Sequence, residues 1–168
     1  ASSAGKVFLL VGTKPQLFKK VKEFAEKTGM FYMNKKWVGG LLTNFVTIKS
    51  RLKNLKTIRE QEQTGEISKY TKKEQSKMLK EVKKMEEVLG GVVNLPKLPD
   101  VIIVFDIHHE SLAVKEAAIM HITVVGIADT NSNPDNIAYI IPANDDSIKS
   151  IDFLLTQIGE AYRPAQKE

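Results

Sequence analysis

Three runs of consecutive apolar residues mark the chain. They span residues 7–11, 101–105 and 123–127, and no charged residue interrupts any of them. Strands with one face in water alternate apolar and polar positions, whereas short continuous apolar runs are typical of strands covered on both faces. The pattern therefore predicts strands of a mainly parallel sheet, with helices packed above and below it.

Segments with helical periodicity separate these runs. Apolar residues recur at intervals of three and four in three of them, residues 18–25, 111–120 and 148–162. Gly29 predicts the end of the first helix. Asn144 predicts the N-cap of the last, with Asp145 and Asp146 in its first turn, where the helix dipole favours carboxylates.

Two shorter apolar segments complete the predicted sheet. They lie at residues 30–33 and 138–141 and are bounded by polar, glycine or proline residues. The strand at 101–105, the helix at 111–120 and the strand at 123–127 form a compact βαβ unit, whose crossover should be right-handed. The predicted fold class is therefore α/β, a doubly wound, mainly parallel sheet with helices on both faces.

The middle of the chain has a different period. Its apolar residues follow alternating steps of four and three, first at Leu41, Phe45, Ile48, Leu52 and Leu55, with Ile58 three residues further on, and then at Met78, Val82, Met85 and Leu89. Thr71 and Glu74 have the spacing of a capping box. Heptad spacing in two such segments predicts an inserted antiparallel helical hairpin, a coiled coil. The predicted units are a core domain (1–44 and 92–163), a protruding hairpin (45–91) and a tail (164–168).

Charge divides the chain into two halves. Residues 1–98 contain 21 Lys and Arg against 9 Asp and Glu, whereas residues 99–168 contain 4 against 11. A basic half of this kind favours a polyanionic partner, most commonly nucleic acid, although a lysine-rich solubilising surface also accounts for it. The absence of cysteine excludes disulfides, thiolate metal sites and cysteine catalysis. No apolar run approaches the ~20 residues of a membrane span, so no membrane partner is expected.

The stretch from residue 34 to 45 combines the features of an RNA contact. Lys35 and Lys36 offer charges for phosphates, and Trp37 offers an aromatic face. Gly39 and Gly40 would allow close approach of the backbone. The alternative is that Trp37 is a core anchor beside a tight glycine turn, and for Trp37 that interpretation is preferred.

A cluster of polar residues follows the strand at 101–105. Asp106, His108, His109 and Glu110 stand where an α/β enzyme places its site. Adjacent histidines point in different directions, however, which is poor geometry for chelation. At the end of the first strand, Gly12-Thr13-Lys14 could suggest a phosphate loop, but it lacks the second glycine of that motif. We expect no catalytic residue, metal or cofactor. The alternative is a Rossmann-like, metal- or phosphate-dependent enzyme that uses Asp106, His109 and Asp129.

Several motifs in their order resemble one known family. The most specific is Asn34-x-x-Trp37-x-Gly39-Gly40-x-Leu42-Thr43-Asn44, and the others are Gly12-Thr13-Lys14, Leu98-Pro99-Asp100, His109-Glu110 with Ala113-x-Lys115-Glu116-Ala117, Asp129-Thr130-Asn131-Ser132-x-Pro134-Asp135 and Ile141-Pro142-x-Asn144-Asp145-Asp146. Together they resemble the small-subunit ribosomal protein S2 family, in its bacterial-type branch. The charged mid-chain hairpin resembles the bacterial and organellar members, because the cytosolic eukaryotic and archaeal members lack it.

The resemblance implies a non-catalytic structural protein of the small ribosomal subunit. The implied partners are small-subunit rRNA and neighbouring ribosomal proteins, among them an S-one-like protein, and no homo-oligomer is expected. Family members carry a further segment before the first strand and often an acidic C-terminal extension, and neither is seen in this sequence. Lys36 also replaces a more usual arginine. These departures lead us to expect an organellar ribosome, mitochondrial rather than plastid, with a bacterial ribosome as the alternative.

The expected rRNA contacts combine the glycine loop with the first hairpin helix. The cations that should reach phosphates cluster in these two places. The expected set is Lys14, Lys35, Lys36, Trp37, Gly39, Gly40, Thr43, Asn44, Lys49, Arg51, Lys53 and Lys56.

Overall fold

The computed structural model describes residues 5–129, 137–144 and 147–162. Its strands are β1 (Phe8–Val11), β2 (Phe31–Met33), β3 (Val101–Phe105), β4 (Thr123–Ala128) and β5 (Tyr139–Pro142). Its helices are α1 (Phe18–Thr28), α2 (Phe45–Gln63), α3 (Lys72–Leu89), α4 (Ser111–Ile119) and α5 (Ile148–Tyr162). Each predicted strand and helix is present, with ends that differ from the prediction by a few residues.

The five strands form one parallel sheet in the order β2-β1-β3-β4-β5. The chain runs outward from β1 to β2, then returns to the other side of β1 and continues through β3 and β4 to β5. In open sheets of this kind, the switch between β1 and β3 leaves a crevice at the carboxyl ends of those strands. The predicted doubly wound α/β fold is confirmed.

Alternate residues of the strands β1 to β4 enter two separate cores, because successive side chains of a strand point to opposite faces. Leu9 and Val11 of β1 belong to a core that also contains Ala113 and Ala117 of α4. Leu10 belongs to the other core. Its neighbours there come from β3, from α1 and from α5, among them Phe105, Val21 and Ile151. Helices therefore cover both faces of the sheet.

Helices α2 and α3 pack against one another. The buried residues of α2 are Ile48, Leu52 and Leu55, and those of α3 are Val82 and Leu89. Arg59 of α2 donates a hydrogen bond from Nε to Glu86 Oε1 of α3 at 2.6 Å. This charged contact, at the edge of the buried seam, holds the two helices together.

The start of α3 has the predicted capping box. The Thr71 backbone N–H donates to Glu74 Oε2 at 2.9 Å, and the Glu74 N–H donates to Thr71 Oγ1 at 3.4 Å. These bonds satisfy two amides that the first turn of a helix leaves without intrahelical partners. The predicted helix start is therefore confirmed at this point.

The base of the α2–α3 pair is part of the domain core. Ile48, Leu52 and Leu89 lie in the same cluster as the β1 residues Leu9 and Val11. The helix pair is thus anchored by apolar contacts at its base. Its extent as a separate protruding coiled coil over residues 45–91 stays a prediction.

The C-terminal part of the fold agrees with the prediction where it is described. Asn144 Oδ1 accepts a hydrogen bond from the Ser147 backbone N–H at 2.9 Å, just before α5. The predicted polar loop at 130–135, Asp145 and Asp146, and the tail at 164–168 lie outside the described residues. None of the helices in the described ranges is long and apolar enough to cross a membrane.

Candidate nucleic-acid interface

Asp106 organises the turn that follows β3. Its backbone has a φ of 62°, a left-handed conformation that Asp and Asn tolerate better than most residues. Its Oδ1 accepts hydrogen bonds from the backbone amides of His108 and His109, at 3.0 and 2.9 Å. Its Oδ2 lies 2.6 Å from Lys14 Nζ. The side chain therefore shapes the turn and ties it to the loop that follows β1.

The pairing with Asp106 changes the expectation for Lys14. Burial opposes ionisation of Asp106, but the hydrogen bonds from Lys14 and from the His109 amide outweigh it and hold the pKa of this carboxyl below its ordinary value. The Lys14 side chain is only 16% exposed. Lys14 was predicted to contact phosphate, and this ion pair leaves its ammonium group little free surface for such a contact.

Glu110 joins the segment after β3 to the loop after β1, and the two histidines before it lie at the surface. Glu110 is buried, and its Oε1 accepts hydrogen bonds from the Thr13 backbone N–H at 2.7 Å and from Thr13 Oγ1 at 2.6 Å. His108 and His109 have exposed side chains. Among the residues that the structure describes, no group of three or more His, Asp or Glu could hold a metal ion.

Glu116 is the centre of the Trp-Gly-Gly loop. It lies on α4 and is 4% exposed. Its Oε1 accepts hydrogen bonds from Trp37 Nε1 at 3.1 Å and from the Gly40 N–H at 2.8 Å. Its Oε2 accepts from the Leu42 N–H at 3.0 Å, the Thr43 N–H at 3.2 Å and Thr43 Oγ1 at 3.1 Å. One carboxylate thus fixes the whole loop against α4.

The donors around Glu116 explain how a carboxylate can be buried here. Burial raises the cost of its charge, but the hydrogen bonds from Trp37, Gly40, Thr43 and Leu42 outweigh that cost and lower the pKa of Glu116. The sequence analysis did not assign this role to Glu116. The available signal was its position three residues after Ala113, which places both residues on the buried face of α4.

Trp37 is a core anchor in this structure. Its side chain is 6% exposed and belongs to the core cluster of β1 and β3. The preferred interpretation of Trp37 thus agrees with its position. A buried ring whose N–H is bound to Glu116 is not available to stack on an RNA base without rearrangement of the loop.

The other loop residues also have internal roles. Gly40 has a φ of 85°, a left-handed backbone conformation that residues with a side chain rarely adopt. Its N–H donates to Glu116. The Thr43 hydroxyl is bound to Glu116, and Asn44 Oδ1 accepts a hydrogen bond from Thr47 Oγ1 at 2.7 Å. Gly39 is exposed. The residues of the motif therefore serve mainly the internal contacts of the loop. The exposed residues among them are Gly39, Thr43 and Asn44.

Lys35 and Lys36 are the exposed cations that this loop presents. Both side chains lie at the surface, directly before buried Trp37. Asn34, also buried, donates from Nδ2 to the Phe18 backbone oxygen at 2.6 Å, and Lys35 Nζ lies 4.4 Å from the centre of the Phe18 ring. The loop thus holds two positive charges at a fixed place beside the carboxyl end of β2.

The cations of α2 lie on two sides of its buried seam. Lys49, Lys53 and Lys56 are spaced by four and three residues and share one helical face, whereas Arg51 lies on the other side of Ile48. All four cations are exposed. Lys49 Nζ also donates to the Pro96 backbone oxygen at 3.1 Å. The structure therefore separates Arg51 from the three lysines with which it was grouped.

Helix α3 carries a line of lysines that the expected RNA contacts did not include. Lys73, Lys77, Lys80 and Lys84 follow steps of four, three and four, directly opposite the buried seam of the helix. Lys19 and Lys22 of α1 each pair with a glutamate four residues on. Across the described residues, no carboxylate forms an ion pair with a lysine of α3. The outer face of α3 therefore keeps its positive charge.

Comparison with known families adds one finding. The model of the family described as ribosomal protein S2 matches residues 1–165 of the chain. The match includes the sheet, the Trp-Gly-Gly loop and helices α2 and α3. This family consists of structural proteins of the small ribosomal subunit.

Proposed function

The chain belongs to the ribosomal protein S2 family, and we propose that it acts in the small ribosomal subunit by binding rRNA and neighbouring ribosomal proteins. Membership of the family supports a structural role in the ribosome and a location in the small subunit. The contacts with RNA and protein are the proposal. The observation that carries it is the set of exposed cations on the glycine loop and on the helices α2 and α3.

The charge and geometry of the loop support an RNA contact. Lys35 and Lys36 lie between two anchored side chains, Asn34 bound to the Phe18 backbone oxygen and Trp37 bound to Glu116, so little conformational freedom of the loop is lost on binding. Lysine ammonium groups at defined positions suit phosphate oxygens, which supply most of the affinity in such complexes. Exposed Gly39, Thr43 and Asn44 lie in the same loop and would meet the sugar-phosphate backbone beside these lysines.

The helix pair extends the proposed RNA surface. Arg51 on α2 and the line of lysines on α3 are exposed. Because phosphate contacts depend on charge and hardly on base identity, this part of the surface would position the RNA backbone without reading its sequence. Lys49, Lys53 and Lys56 have the charge for the same task, although they surround an apolar groove that phosphates do not require.

We further propose that the chain has no catalytic activity. The carboxylates that follow β3 have structural uses. Asp106 accepts from amides of its own turn, and Glu110 accepts from Thr13 in the loop after β1. The alternative is an enzyme based on Asp106, His109 and Asp129. Hydrolysis or transfer of a phosphate by the purified chain, abolished by Asp106→Asn and His109→Gln, would support that alternative.

The proposed location is a ribosome of bacterial type, in a mitochondrion or a bacterium. The support is the pair of helices α2 and α3 in mid-chain, which resembles the bacterial and organellar members of the family. The proposed neighbours include an S-one-like protein, and the chain is proposed to bind as a single copy. The proposed coiled coil comprises the part of α2 that follows Leu52 and the part of α3 that precedes Leu89, because these two residues lie in the domain core.

Co-sedimentation tests this proposal. A tagged chain expressed in its source cells should sediment with small subunits in a sucrose gradient and remain there after washing at moderate salt. Mass spectrometry of the proteins in the same fractions should identify the particle as the small subunit. A chain found only at the top of the gradient, as free protein, would contradict the proposed function.

A further inference from the structure

A groove of about 1000 Å³ lies between α2 and the segment at 93–98. Most of its exposed lining is aliphatic or aromatic, and lysines stand around it. The apolar lining includes Phe45, Val46, Leu52, Val93, Leu95 and Leu98, and the lysines are Lys49, Lys53, Lys56 and Lys97. The groove is thus an apolar surface with a positive rim.

One face of α2 supplies the outer wall of the groove. Val46, Lys49, Lys53 and Lys56 follow steps of three, four and three, so their side chains share this face over about 15 Å of helix. Val46 is 83% exposed, the most exposed large apolar side chain among the described residues. Exposed apolar surface beside a polar rim is typical of a protein-binding site.

The lysines of the α2 wall differ from Lys97, which lines the groove from the 93–98 segment. Lys97 pairs with Asp100, with 2.9 Å between Nζ and Oδ2. Lys49 Nζ is bound to a backbone oxygen of Pro96, which carries no net charge. In the described ranges, Lys49, Lys53 and Lys56 form no ion pair with a carboxylate. A partner that lies along α2 would therefore gain most from negative charge.

We infer that this groove binds an acidic segment of a neighbouring protein in the small subunit. An apolar side chain of the segment packs on Val46 and Phe45, and its carboxylates meet Lys49, Lys53 and Lys56. Amphipathic segments bind grooves in this way, with apolar anchors at the centre and charges at the rim. The inference rests on the proposed function, because the subunit supplies the neighbour.

RNA fits this groove less well than an acidic peptide does. RNA phosphates would meet the lysines but would gain nothing from Val46 or Leu98. Bases stack on flat aromatic rings, whereas Phe45 is the one aromatic residue of this lining and its other apolar residues are Val, Leu and Pro. Lys49, Lys53 and Lys56 thus contact carboxylates here, and not the phosphates expected from the sequence.

Site-specific photo-crosslinking in assembled subunits tests the inference. A benzophenone amino acid replaces Val46, and small subunits that carry the variant are irradiated, digested and analysed by mass spectrometry. The expected adduct is a peptide of another ribosomal protein with net negative charge and at least one large apolar residue. The same amino acid at Phe153, which is 65% exposed on α5, is the control and should not give this adduct. An adduct with rRNA, an adduct with a second copy of this chain, or none would overturn the inference.

A neutral variant then separates protein binding from RNA binding. Val46→Ser removes the apolar anchor without changing the charge of the groove, and its cost in stability is small because Val46 is exposed. A fluorescent synthetic peptide with the crosslinked sequence should bind the Val46→Ser chain about tenfold more weakly, while rRNA affinity should stay the same. Unchanged peptide affinity would overturn the inference. Failure of rRNA binding in the unmodified chain would instead contradict the proposed function, and the crosslink would remain a separate result.

Discussion

Trp37 and Glu116 are 79 positions apart in the chain and are joined by a hydrogen bond of 3.1 Å from the indole Nε1 to Oε1. The same carboxylate binds the backbone of Gly40, Leu42 and Thr43. The most characteristic sequence motif of the chain is therefore folded around a residue outside it. Its exposed lysines, Lys35 and Lys36, depend on that contact for their position.

Glu116→Gln should destabilise the domain although it changes few atoms. The amide keeps one acceptor oxygen, but its NH₂ group would face N–H donors of the loop, so at least two buried donors would lose their partner. We expect a loss of about 3 kcal/mol in the free energy of unfolding. Urea denaturation measures it, with exposed Glu87→Gln as the control, expected within about 0.5 kcal/mol of the unmodified chain. Equal effects of the two variants would contradict the role of Glu116.

Acid should weaken the domain through the same residue. The pKa of Glu116 is lower in the folded chain than its ordinary value of 4.5. The unfolded chain therefore binds more protons just below that pH, and stability falls as pH drops through the folded pKa. Denaturation midpoints at a series of pH values below 5 should fall more steeply in the unmodified chain than in Glu116→Gln. Parallel curves for the two proteins would show that Glu116 adds nothing to the acid dependence.

Trp37→Ala should act on stability first. Removal of this buried side chain leaves a cavity beside the sheet and frees one oxygen lone pair of Glu116. The expected cost is ~3–5 kcal/mol, read as a lower thermal midpoint, and any loss of rRNA affinity should follow from loosening of the loop. Trp37→Phe should recover part of the stability. If Trp37→Ala kept its thermal midpoint and lost rRNA affinity, the indole would be a stacking surface after all.

The sheet could be predicted because its signals are local. The run at Val101–Phe105 has no polar residue, and the structure buries all five side chains. The heptad steps of α2 and α3 likewise predict buried positions for Leu52 and Val82, and both side chains are buried. Both patterns arise because the faces of a strand or helix that pack in the core must be apolar.

The internal contacts of the loop could not be predicted from local patterns. Glu116 meets Trp37, and Lys14 meets Asp106, only because the parallel sheet brings distant segments to one edge. An exposed lysine and a paired lysine look the same in a sequence. The sequence therefore predicts a phosphate contact for Lys14 as it does for Lys35 and Lys36, although Lys14 forms an ion pair with Asp106 inside the domain.

Variants of the Asp106 turn should separate structure from catalysis. Asp106→Asn keeps a side chain that tolerates the left-handed backbone and can accept from the His108 and His109 amides, so we expect a loss of roughly 1–2 kcal/mol, from the Lys14 ion pair. Asp106→Ala should cost more, because it also loses those hydrogen bonds. His108→Gln with His109→Gln should leave assembly into small subunits nearly intact. Loss of a bound metal together with loss of assembly in the histidine variant would show that the cluster is a metal site.

The central claim is that the loop fixed by Glu116 presents Lys35 and Lys36 to rRNA phosphates. The most direct test is the salt dependence of binding to purified small-subunit rRNA, with log K plotted against log salt. Lys35→Gln with Lys36→Gln should lower affinity and flatten the slope by roughly 1.4–1.8, for two phosphate contacts at 0.7–0.9 each, with an unchanged thermal midpoint. Lys19→Gln with Lys22→Gln removes two lysines of α1 that are paired with glutamates, and should leave the slope unchanged. An unaltered slope in the Lys35–Lys36 variant would place the RNA interface elsewhere on the chain.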